Sequence, residues 1–326
     1  MACRIMCLLV LLLCASVLPS GAQKLVTDIA VSGSPFGVAV NPGNDRIYVS
    51  LNNSGSYSVG VIDGATNTQI DTVTIPEAAV IAVNVATGRV YAAGCNYGKS
   101  PLLCGVTAID GTSNKVITTI PLNAANGIGI QGIAVNPVTN RIYVADATNY
   151  KIDVIDGTTN KIIARVSLGQ TQPLGLAVDF GTNQVLVTIN GGALWVVSGA
   201  TNQIVQKITV GSENANTAVN SFTSQAYVTN ELFQPSTLGV VNLINGTVEA
   251  NVAVGNTPFG VCVDLFTNLV LVTNKGDGTV TEVNGNTNTV VGSVAASSNF
   301  IDVNPVTRWA YASDNSGANT VHVISE

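Results

Sequence analysis

The stretch Gln131–Asn160, QGIAVNPVTNRIYVADATNYKIDVIDGTTN, decides the fold. It reads as three short strands, Ile133–Val135, Arg141–Ala145 and Ile152–Ile155, rich in β-branched residues and without a helical period. The turn Asn136-Pro137-Val138-Thr139-Asn140 separates the first two, and the third runs into Asp156-Gly157. Pro is expected to fix φ at the first turn and Gly to supply φ > 0 at the second. The same pattern then occurs seven times.

The residue after the first strand is an Asn or Asp in every copy: Asn41, Asn84, Asn136, Asp179, Asn220, Asp264 and Asn304. A Val always precedes it. Seven places later comes Tyr48, Tyr91, Tyr143, Leu186, Tyr227, Leu271 and Tyr311. The anchors recur at roughly 40–45 residues, with one longer interval, a period that marks propeller blades. A fourth strand is readable in Lys161–Leu168, Gln203–Val210 and Thr247–Val254. The seventh unit stops after its third strand, and Lys24–Val31, KLVTDIAV, matches the missing fourth. The expected fold is therefore all-β: a seven-bladed β-propeller of four-stranded antiparallel blades, its last blade closed by the N-terminal strand.

The chain opens MACRIMCLLVLLLCASVLPSGAQ, with Arg4 before an apolar run and small residues at Ser20-Gly21-Ala22. Residues 1–22 read as a cleaved signal peptide and 23–326 as a single propeller domain. The apolar run is too short for a membrane span, so an exported protein, periplasmic or extracellular, is expected. The formal net charge is −6, and loss of Arg4 with the leader makes the mature chain one unit more negative. An acidic chain without a Lys/Arg run disfavours nucleic acid. Cys95 and Cys104 flank one loop insertion, CNYGKSPLLC, and an oxidising compartment favours their pairing as a disulfide.

Tyr227–Asn230 reads YVTN, and Leu271–Asn274 (LVTN), Tyr48–Ser50 and Tyr143–Ala145 are variants of it. With the recurrent VIDGxTN of Val61–Asn67 and Val154–Asn160, the chain resembles the YVTN-repeat β-propellers of exported bacterial and archaeal surface-layer-like proteins. That resemblance covers residues 24–326. It implies the fold and brings no catalytic motif with it.

Loops from strand two to strand three vary most, and binding is expected on their face. Ten places after the anchors stand Leu51, Gly94, Asp146, Ile189, Asn230, Asn274 and Asp314. Asp146, Asn230, Asn274 and Asp314 are candidates for holding a polar ligand or hard cation at the channel mouth, or for capping turns. Five places before the anchors, Gln131, Phe36 and Phe259 are candidates for the same mouth. Asp302 takes a place otherwise held by Ala or Cys; it is either a functional carboxylate or a tie between blades. Glu77 and Glu213 precede first strands, away from the inferred axis.

His322 is the single His, so paired-His metal or haem ligation within one chain is excluded, and no G-x-S-x-G elbow occurs. No cofactor and no membrane span are expected. The leading expectation is a non-catalytic module that binds a protein, glycan or cell-surface polymer through its loop face. The alternative is a metal-assisted, lactonase-like hydrolase at the channel mouth.

Overall fold

The computed structural model describes residues 23–97, 103–122, 128–231 and 236–326. The leader read at 1–22 lies outside the described residues. Within them the strands form seven four-stranded antiparallel sheets and no helix. The seven first strands, from Ser34–Asn41 in blade 1 to Ser298–Asn304 in blade 7, pack side by side around the axis. The chain is a seven-bladed β-propeller.

Closure follows the expected plan. Lys24–Ala30 pairs antiparallel with Thr320–Ser325, so blade 7 takes its outermost strand from the other end of the sequence. Outer strands are half-wetted, as in Lys161–Ser167, whose burial alternates, while the second and third strands are buried almost throughout.

The repeated columns are the joints between blades. Tyr48, Tyr91, Tyr143, Tyr227 and Tyr311 are fully buried. Tyr143 packs against Val185, Val187 and Trp195 of the next blade. The hydroxyl of Tyr48 donates to the Gly111 carbonyl of blade 2 at 3.1 Å, and that of Tyr227 to Asn268 Oδ1 at 2.9 Å. Anchor side chains do two jobs. Asn136 Oδ1 accepts from the N–H of Val138, closing an Asx turn, and its Nδ2 donates to Asn183 of the next blade at 2.9 Å. Asn84 to Asn140, Asn220 to Asn268 and Asn304 to Asp45 repeat this clasp.

The third residue of the YVTN motif also crosses the joint. Thr229 donates to the Phe259 carbonyl at 2.9 Å and Thr273 to that of Asn299 at 2.7 Å. Ser313 does the same to Phe36, joining blade 7 to blade 1.

The turn residues differ from expectation in one respect. Gly157 does not adopt positive φ; Asn160 (54°) and Asn140 (53°) do, in the left-handed region that Asn tolerates. Gly157 is needed for space instead, since a Cβ there would fall on the side chain and carbonyl of Asn140.

Asp302 is a tie between blades. Its Oδ2 accepts from the N–H of Val40 in blade 1 at 2.8 Å and its Oδ1 from the N–H of Val303. Burial pushes its carboxyl up to about 6 against those two hydrogen bonds. The sequence's single histidine ties strands within blade 7: His322 Nδ1 lies 2.6 Å from Asp28 on the closing strand, and Nε2 3.1 Å from Asp314.

Candidate functional site

On the loop face the first strands splay to leave a cavity of about 650 Å³ at the channel mouth. The residue five places before each anchor faces it in all seven blades: Phe36, Ala79, Gln131, Leu174, Ala215, Phe259 and Asn299. Gln131, Phe36 and Phe259 thus line the mouth. Outside this inner ring stand Asn52, Cys95, Glu231, Lys275 and Asn315, each eleven places after its anchor.

The four oxygen-bearing candidates ten places after the anchors do not line it. Strand side chains alternate, so one position earlier along the second strand points into the blade rather than into the mouth. Asp146 is buried, takes the N–H and side-chain amide of Asn149, and lies 3.4 Å from the Lys151 ammonium. Asp314 accepts from the N–H groups of Ser316, Gly317 and Ala318. Burial pushes its carboxyl up, but these donors and His322 outweigh it and hold it below the usual range. Asn230 donates to Thr237, and Asn274 to Thr279 and Thr281. The two acids are spent on the loops that follow them, whereas the two amides donate to the third strands and their buried Oδ1 atoms find no hydrogen-bond partner among the described residues. Among the described residues, no group of three or more His, Cys, Asp or Glu side chains comes together as a cation site.

Phe300 was not singled out in the sequence, and it organises the mouth. Its ring meets Phe36 edge to face at 5.1 Å and Phe259 at 5.2 Å, so an aromatic ladder crosses blades 1, 7 and 6. Gly37, Gly132, Gly175 and Gly260 hold the same place in four other blades, where a Cβ would strike the next blade's backbone. A signal was therefore available: Phe300 breaks a glycine column. Lys275 holds its ammonium 4.3 Å from the Phe259 ring centroid. Glu231 stands on the adjacent blade; burial pushes its carboxyl up, and Lys275 pulls it partly back.

No protein-family model matches this sequence, and no curated protein does. Among solved structures, the chain is similar to Kuenenia stuttgartiensis hydrazine synthase, with a TM-score of 0.74 at 16% identity over 90% of this chain and 96% of that one. At that identity the likeness is one of fold.

The mouth's wall in blade 2 is stapled. Cys95 and Cys104 face each other across the second and third strands and are disulfide-bonded. Residues 98–102 of the intervening loop lie outside the described residues. Glu77 lies close by but not in the mouth. It is buried, its carboxylate occupies the space left by Gly105, and burial pushes its pKa up to about 7. Cys262 is a buried free thiol on the inner strand of blade 6, pushed well up by burial. The opposite mouth is apolar, lined by Pro42, Val85, Pro137, Phe180 and Pro305 among others.

Proposed function

We propose that this protein is an exported, non-catalytic binding module of the YVTN-repeat type that takes its partner into the loop-face mouth. One observation carries this reading: the side chains five places before the anchors differ from blade to blade and converge on one cavity, while the repeated columns are consumed by the joints. A cavity of this size, lined by aromatic and amide groups, is of the kind that takes a ligand. The leader pattern of residues 1–22 supports export to the periplasm or beyond, and the Cys95–Cys104 bond agrees with an oxidising compartment. The partner is a protein, glycan or surface polymer. The acidic balance argues against nucleic acid.

The test is an array of peptides and oligosaccharides probed with labelled mature protein. Binding should be lost on Phe259→Ala combined with Gln131→Ala and kept on Val138→Ser, which changes the opposite face. Retention in the mouth variant and loss in the other would overturn the assignment.

A further inference from the structure

The mouth carries three kinds of group in an order that narrows its ligand. The first is amide side chains. Asn52, Gln131, Asn216, Asn299 and Asn315 line the cavity; Asn52 Oδ1 already accepts from the Gly55 N–H and Gln131 Nε2 already donates to the Ile128 carbonyl, while Asn216, Asn299 and Asn315 keep both a carbonyl acceptor and an N–H₂ donor uncommitted among the described residues. A peptide unit has the complementary pair, so such side chains can take a backbone amide two bonds at a time. The second is the aromatic ladder Phe36–Phe300–Phe259, with Phe36 38% exposed, giving one flank an apolar wall of three blades' width.

The third is a pair of opposite charges on neighbouring blades, Glu231 and Lys275. Among the described residues neither head group has a hydrogen-bonding partner: no salt bridge joins them, and Lys275 rests over the Phe259 face. A neutral sugar would use the amides and the rings but leave both charges unmatched. An extended anionic polymer would meet one ammonium and one carboxylate, with no net attraction. A short peptide uses all three.

We infer that the loop-face mouth is a peptide-binding site, taking an extended segment whose backbone pairs with the amide ring, whose apolar side chain packs on Phe36, Phe300 and Phe259, and whose acid and base meet Lys275 and Glu231. This rests on the reading of the mouth as the protein's binding site. Because the two charges sit on adjacent blades, the acid and the base of the ligand lie close along its sequence and in a fixed order. Binding is then specific in direction as well as composition.

The experiment is selection of a displayed library of random dodecapeptides on the mature protein, followed by titration calorimetry of the enriched sequences. Enriched peptides should carry an aromatic or aliphatic residue beside an acid and a base. Affinity should fall about tenfold or more on Lys275→Glu, a change at a half-buried rim position, with the fold shown to be intact by thermal melting. In the double variant Glu231→Lys/Lys275→Glu, a peptide with acid and base exchanged should bind better than the original. Phe300→Gly, which installs the residue four other blades already use, should weaken every selected peptide.

Enriched peptides that bind the charge variants and Phe300→Gly as tightly as the wild type would overturn the inference. So would a selection that enriches nothing while neutral oligosaccharides bind and are lost on Phe300→Gly; that result would leave the mouth a binding site for another class of ligand. If neither peptides nor oligosaccharides respond to any mouth substitution, the binding reading itself falls with it.

Discussion

Glu77 is 4% exposed, and burial alone moves its carboxyl, from 4.5 to about 7. An acid whose folded pKa is raised binds its proton more tightly in the native state, so its contribution is present below about 4.5 and is lost as pH rises through 7. Asp302, raised to about 6, and Glu326, raised to about 9, act in the same direction over their own windows. Wild-type stability should thus decline from pH 5 to pH 8. In Glu77→Gln the decline should shrink by about 2.5 kcal/mol, measured as urea midpoints at both pH values. Parallel pH profiles for the two proteins would show that Glu77 finds a partner the described residues do not include. The sequence set Glu77 apart from the mouth correctly, and flagged Asp302 as out of place. It could not choose Asp302's role, because the deciding donor, the Val40 N–H, comes from residues at the far end of the sequence.

At the scale of strands and turns, the periodic columns made the blades legible, since each column is a joint that must recur wherever two sheets meet. The mouth was half legible for the same reason. Inner-strand positions such as Gln131 and Phe259 follow directly from the anchor, with no intervening turn. On the second strand the candidate column lies one residue before the lining one, and in a strand that shift exchanges one face for the other, so Asn274 and Asp314 stand where Lys275 and Asn315 face the mouth. The Cys95–Cys104 bond belongs to this scale. It closes a hairpin at the wall of the mouth, and a short loop of this kind contributes about 2–3 kcal/mol. Replacing both cysteines by serine should lower the urea midpoint accordingly. Intact mass of the wild type should rise by two hydrogens on reduction, and an unchanged mass would mean that the thiols are not joined.

For the molecule as a whole, stability depends on the seventh blade being complete. Ile29 and Val31 of the closing segment are buried against Val321 and Val323, and Ser313, Asp302 and Asn304 bind across the same seam. Removing residues 24–31 takes away at least about 3 kcal/mol of apolar burial from Ile29 and Val31 alone, and leaves the strand Thr320–Ser325 as an open edge. Thermal melting of the truncated chain should fall well below that of the full mature chain and be accompanied by aggregation. An unchanged transition would mean that the ring does not need its clasp.

The same clasp imposes an order in time. Within blades 1 to 6 every strand pairs with its neighbour in sequence, so each sheet can form from a short, contiguous length of chain as it emerges. The strand Lys24–Ala30 has no such partner. It must wait, unpaired, for residues nearly three hundred positions later, His322 for Asp28 being separated by 294. Relative to a blade-sized loop, that closure costs about 2 kcal/mol more in chain entropy. The first propeller strand to be made is therefore the last to be placed, and an interrupted or slowed synthesis leaves a nearly finished ring whose two free edges can find another chain before they find each other.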